Sequence, residues 1–128
     1  MIDHLALDVS DIARSKAFYA AALAPLGYSI QAEERDGAAT VVMFGVREPE
    51  FVIADKERPG EGNHVAFRAE TRAQVDAFHA AAIAAGGHDN GAPGVREQYG
   101  PTYYAAFVFD PDGFNIEAVC HADEPSSA

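Results

Sequence analysis

Asn63-His64-Val65-Ala66-Phe67 restarts the chain. Moved back sixty positions, Gly62-Asn63-His64-Val65-Ala66-Phe67 lies on Ile2-Asp3-His4-Leu5-Ala6-Leu7 without a gap. At the same offset Ala77-Phe78-His79-Ala80 lies on Ala17-Phe18-Tyr19-Ala20, and Gly87-His88 on Gly27-Tyr28. Ala-rich helices match by chance, so Ala on Ala carries little weight. His on His, Phe on Phe and Gly on Gly at one constant offset are far harder to obtain by accident. The chain reads as an internal duplication in which His4 and His64 are equivalent.

Working outward, each half repeats one order of elements. Ile2 to Val9 alternates as a strand does, Ser10-Asp11 supplies a helix cap, and a helix is expected from about Ile12 to Leu26, closed by Gly27. Tyr28 to Glu33 reads as a strand, Asp36-Gly37 as a turn, Ala38 to Phe44 as the returning strand, and Glu50 to Ala54 as a short fourth one. The charged, Gly- and Pro-containing stretch 55–62 is the joint. In the second half, His64 to Glu70 is a strand, and Thr71 caps a helix running to about Ala85. His88 to Pro101 is rich in Gly and Pro and is expected to be mainly a long functional loop with room for a brief strand. Thr102 to Phe109 and Phe114 to Cys120 are strands around the turn Asp110-Pro111-Asp112-Gly113. The pattern is βαβββ twice, as a single domain over residues 1–124, with module one at 1–57, module two at 62–122 and a frayed tail at 125–128.

Composition narrows the function. The chain has 128 residues, 48% hydrophobic, enough for one compact core. Twenty acidic residues against nine basic give a formal net charge of -11, which repels phosphate backbones and argues against nucleic acid as a partner. A single cysteine, Cys120, excludes an intrachain disulfide and suits a reducing interior. No apolar run reaches the roughly 20 residues that span a bilayer. With no basic, signal-like N-terminus, a cytoplasmic location and no membrane partner are expected.

The strand-opening His4, the restart at 62–67, and Asp110-Pro111-Asp112-Gly113-Phe114-Asn115-Ile116-Glu117 together resemble the vicinal oxygen chelate superfamily. That group includes glyoxalase I, bleomycin-resistance proteins, fosfomycin-resistance enzymes and extradiol dioxygenases. The resemblance covers nearly the whole chain. It implies an α+β fold in which paired βαβββ modules curl into a cup-shaped, half-open barrel sheet around a divalent metal.

The residues themselves support a metal site. His4 and His64 hold one position of a duplicated strand, and Glu117 is the only acidic residue within Phe114 to Cys120. Alternation puts Glu117 on a face with Asn115 and Val119, opposite Ile116 and Ala118. A carboxylate inside a packed sheet is costly unless paired or ligating. Two imidazoles and a carboxylate can bind one face of an ion such as Fe, Mn, Ni or Zn and leave positions for substrate. The resemblance assigns its ligands to the same three residues. Tyr99, Tyr103 and Tyr104 are candidate catalytic groups that donate to an oxyanion or move a proton. Arg96 is a candidate clamp for an anionic substrate. His79, His88 and His121 are read as peripheral, and Cys120 as a small buried hydrophobe.

The first-copy counterpart of Glu117 is expected at Val52, a pocket wall that can neither ligate nor take a proton. Glyoxalase I-like enzymes carry an acid there, so lactoylglutathione lyase is the less favoured member. A metal-dependent dioxygenase-, transferase- or lyase-like enzyme acting on a small oxygenated molecule is expected. The alternative is a cup of the bleomycin-resistance type that sequesters a drug or metabolite without catalysis. A homodimer is expected, because half-open sheets leave apolar surface that a second copy covers.

Overall fold

The computed structural model describes residues 2–60 and 63–122. Module one runs β1 (Leu5–Asp8), α1 (Ile12–Leu23), β2 (Ser29–Asp36), β3 (Ala39–Gly45) and β4 (Phe51–Ala54). Module two repeats the order with β5 (His64–Arg68), α2 (Arg72–Ala84), β6 (His88–Val95), β7 (Tyr104–Phe109) and β8 (Asn115–Cys120). Each module forms one four-stranded sheet, β1-β4-β3-β2 and β5-β8-β7-β6, and among the described residues no strand of one sheet pairs with the other. In both, the first and last strands run parallel and the remaining pairs antiparallel. The expected tail lies outside the described residues. No described helix is long and apolar enough to cross a membrane.

Local chemistry explains the helix limits. The Asp11 carboxylate accepts from the Arg14 N–H, satisfying one orphan donor at the start of α1. The expected helix end at Leu26 resolves into α1 to Leu23 and a 3₁₀ turn Ala24–Leu26 carrying Pro25, because proline removes a helix donor. Thr71 and Gln74 form a reciprocal capping box on α2.

The expected long loop is largely a strand. β6 takes eight residues of it, His88–Val95, with register shifts between Asp89 and Gly91 and between Gly91 and Gly94. Gly and Pro punctuation suggested a loop, but β6 is an edge strand, where a proline and bulges are tolerated. Gly91 has φ 150°, and a Cβ there would lie 3.1 Å from the Phe107 ring.

The modules meet through their helix-covered sides. Phe18, Tyr19, Phe44, Phe51 and Ile53 of the first half and Val75, Phe78 and Ile116 of the second are all at most 1% exposed. Rings of Phe51 and Phe67 meet across the boundary at 5.1 Å, and Tyr28 meets Phe67 at 5.5 Å. Burying each such side chain contributes about 1.5–3 kcal/mol. A polar latch adds to this. Buried Tyr19 Oη donates to Asp110 Oδ2 at 2.5 Å, while Asp110 Oδ1 accepts from the N–H groups of Asp112 and Phe114. The Ser10 N–H donates to the Asp112 carboxylate. The sheet faces turned away from the helices carry Ala6, Met43 and Val52 in module one and Ala66, Phe107 and the buried Glu117 in module two.

Candidate metal centre

β8 and β5 place two of the three expected ligands together. Glu117 pairs in register with Ala66 and Phe107, and its side chain is 2% exposed. His64, the first residue of β5, sits beside Asn115 in the parallel register. Its Nε2 lies 3.0 Å from Glu117 Oε1, and its Nδ1 lies 2.9 Å from the backbone oxygen of Asn115. The second contact fixes the tautomer. A carbonyl only accepts, so Nδ1 carries a proton, and in a neutral ring Nε2 then presents a lone pair. That lone pair faces a carboxylate oxygen, an arrangement that needs a proton or a cation between them.

Those donors fit a divalent ion. Ligand distances of about 2.0–2.2 Å subtend an edge of about 3 Å at a right angle, close to the N···O separation here. The Asn115 carbonyl is the kind of outer partner that orients a ligating histidine. On the other carboxylate oxygen, Tyr103 Oη donates to Glu117 Oε2 at 2.5 Å. Burial, the hydrogen bond to Glu117 and its negative charge push the Tyr103 phenol up to about 12. Tyr103 is therefore a proton-bearing donor across the neutral range and spends that proton on Glu117. Phe107 stacks against His64 with ring centres 6.3 Å apart.

His4 does not join this group within the chain. It precedes β1, is exposed, and its Nδ1 lies 2.7 Å from Asp3 Oδ1. It lines a cleft of about 290 Å³ on module one with Asp3, Met43, Glu48, Pro49 and Val52. No set of three His, Cys, Asp or Glu side chains able to hold an ion is found among the described residues. The equivalence of the two histidines nevertheless holds in the pairing: Leu5 faces Phe51 and Ala6 faces Val52, as Val65 faces Ile116 and Ala66 faces Glu117. Val52 is thus the structural counterpart of Glu117.

The tyrosines separate by strand alternation. Tyr99 is 64% exposed and packs on the Tyr103 ring at 5.2 Å. Tyr104, expected at the site, points the other way: it is 8% exposed and donates to Asp76 on α2. Tyr103 immediately precedes β7 and Tyr104 opens it, and as neighbours in extended chain they point to opposite sides, one to Glu117 and the other to Asp76. Arg96 follows β6 and lies over the Phe107 ring. His121, read as peripheral, packs edge-on against Tyr103 at 5.3 Å. Phe107 was not anticipated. Its signal was available in the alternation of 104–109, which gives Ala105, Phe107 and Phe109 one face, but the partner strand that makes it a neighbour of Glu117 is a tertiary fact. Cys120 is fully buried.

Comparison with known proteins agrees with this architecture. Residues 1–118 match the profile of the Glyoxalase/Bleomycin resistance protein/Dioxygenase superfamily. A glyoxalase/bleomycin resistance protein from Albidiferax ferrireducens is 32% identical, with 95% of this chain and 99% of that one covered and a TM-score of 0.73. An E144Q mutant of glyoxalase I from Zea mays is 22% identical over 92% of this chain and 46% of that one, also at TM-score 0.73. A glyoxalase/bleomycin resistance protein/dioxygenase family enzyme from Burkholderia phytofirmans is 20% identical over 94% and 98%, at TM-score 0.66. Comparison with curated proteins gave no match. With the duplicated sheets, the His64–Glu117 pair and a profile match over nearly the whole length, the chain belongs to the glyoxalase/bleomycin resistance protein/dioxygenase superfamily.

Proposed function

We propose that this protein is a cytoplasmic, divalent-metal-dependent enzyme acting on a small oxygenated molecule, in a site completed between two copies of the chain. The observation that carries the reading is the His64–Glu117 contact, in which both histidine nitrogens face acceptors. His64 and Glu117 would hold the ion from module two. His4, on module one, would reach it from a second copy, since each sheet carries only part of the donor set. When bound, the ion supplies Lewis-acid polarisation to adjacent substrate oxygens.

The chain's own groups do the rest. The Asn115 carbonyl keeps the His64 ring oriented, and Tyr103 holds the Glu117 carboxylate in place. Phe107 shields one side of the histidine from water. Val52 offers an apolar wall on the opposite sheet and no proton transfer. Fe, Mn, Ni and Zn all suit a donor set of imidazole and carboxylate.

Metal titration of the purified protein tests the reading. One ion per chain is expected, with binding abolished in His64→Ala and Glu117→Gln and weakened in His4→Ala. Equal binding by the wild type and His64→Ala would overturn it. The second reading, a sequestering cup without metal, draws on the alternative already named for the His64–Glu117 contact: a proton there, with the Tyr103 hydroxyl, would satisfy both Glu117 oxygens. It predicts no stoichiometric ion in the same titration.

A further inference from the structure

Beside the His64–Glu117 pair lies a second cleft of about 270 Å³, lined by Asn90, Arg96, Gln98, Tyr99, Phe107 and Asn115. It is joined to the metal centre by shared residues: the Phe107 ring stacks on His64, and the Asn115 carbonyl holds the same histidine. We infer that this cleft is the substrate's anion pocket, that Arg96 is its binding residue, and that the molecule accepted by the enzyme carries a carboxylate. The inference deepens the function proposed above and rests on that reading for the place of the reacting oxygens.

Arg96 is held ready rather than spent. Its Nη1 donates to the Gly94 carbonyl at 2.9 Å and its Nη2 to the Ala92 carbonyl at 2.7 Å. Its guanidinium carbon lies 5.4 Å from the Phe107 ring centre, a cation–π arrangement. Two of five N–H donors are thus used on neutral acceptors, leaving three and a full positive charge. No carboxylate lies within ion-pair distance of it among the described residues. Asp89 is near enough for Arg96 to help hold its carboxyl below the usual range. That effect is the weakest of several, because Asp89 is engaged by His79 Nε2 and the Gly91 N–H.

The bulged strand makes room for this placement. A Cβ on Gly91 would lie 3.0 Å from Arg96 Nη2, and one on Gly94 would lie 3.2 Å from Nη1. The two clefts also differ in sign. The one around His4 is lined by Asp3 and Glu48 with no cation, whereas none of the residues lining the Arg96 cleft is acidic. An anionic substituent therefore has one favourable end, that of module two, and a fork of guanidinium donors suits a planar carboxylate.

The test uses phenylacetate and its neutral amide, phenylacetamide, as matched probes in calorimetric titrations of the purified protein without added metal. Wild-type protein should prefer the acid by about tenfold or more, the usual scale of a charge-assisted hydrogen bond. The preference should shrink as salt is raised. Arg96→Gln should bind acid and amide alike, and Arg96→Lys should keep part of the preference. A purely structural Arg96, tying down the bulged strand, would change the melting temperature or both affinities together and leave the acid-to-amide ratio alone. Should Arg96→Gln fail to fold, Arg96→Lys, which keeps the charge but loses the fork of donors, supplies the second variant, with a lowered ratio expected. Equal wild-type affinities, or a ratio unchanged in Arg96→Gln or Arg96→Lys, would overturn the inference. Because no metal is present, the result is independent of the metal titration: acid preference without metal binding would remove the proposed chemistry and leave the anion pocket standing.

Discussion

Val52 and Glu117 occupy the same place in the two halves of the molecule: Val52 pairs with Ala6 and Met43, and Glu117 pairs with Ala66 and Phe107. The two halves share the backbone register and differ in chemistry at this position, an alkyl wall in one and a carboxylate in the other.

A glyoxalase I-type isomerisation needs a placed base beside the ion, and Val52 supplies none. The metal-loaded protein is expected to convert the methylglyoxal–glutathione adduct at least about 10²–10⁴-fold more slowly than an enzyme with that base. Val52→Glu should tighten metal binding or introduce weak activity. Robust turnover by the unmodified protein, followed by ultraviolet absorbance of the thioester, would contradict the assignment.

Metal affinity should depend on pH in a defined direction. In the metal-binding reading proposed above, an ion would take the place between His64 Nε2 and Glu117 Oε1, and because an imidazole ligates only through an unprotonated nitrogen, affinity should rise with pH. Dissociation constants for Zn or Ni measured at several pH values across the neutral range check this. A flat profile would mean that the ion binds elsewhere.

The function proposed above completes its site with a second copy of the chain. Size-exclusion chromatography with light scattering should give twice the 13.6 kDa of one chain at low micromolar concentration. A mass of one chain under those conditions would leave His4 without the role proposed for it.

Tyr103 should titrate apart from exposed phenols. Its folded pKa, about 12, lies above the ordinary value near 10. Between these values the folded chain keeps a proton that the unfolded chain has lost, so the Tyr103 contribution to stability is complete below about pH 10 and fades as pH rises toward 12. Ultraviolet difference titration should show one high-pH phenol lost in Tyr103→Phe, accompanied by weaker metal binding. An unchanged high-pH phase would exclude the Glu117 hydrogen bond.

The Tyr19–Asp110 latch is expected to stabilise the pairing of the modules. Tyr19→Phe removes a donor from a buried carboxylate and should cost about 1–3 kcal/mol, read from urea denaturation. Burial raises the Asp110 carboxyl above its usual range. Here the folded chain holds its proton to higher pH than the unfolded one, so this group's contribution falls as pH climbs through the carboxylate range. Wild-type-like stability of Tyr19→Phe would show the latch to be idle.

The sequence by itself determined the duplication, the order βαβββ twice, the caps at Asp11 and Thr71, and the face on which Glu117 lies. Each of these rests on local physics: side-chain period, capping chemistry and a constant internal offset. It also placed Val52 opposite Glu117 by counting, and strand pairing agrees. Tertiary structure alone decided the rest. Whether 88–95 is loop or strand depended on β7 offering a partner backbone, which no local propensity contains. Tyr103 and Tyr104 are adjacent and equally polar, and only the side on which α2 packs sent one to Glu117 and the other to Asp76. The separation of His4 from His64 has the same origin. Equivalent positions in a repeat share a local environment, but their distance in space is set by how the two halves pack, here through the two helices, the Phe51–Phe67 ring contact and the Tyr19–Asp110 hydrogen bond.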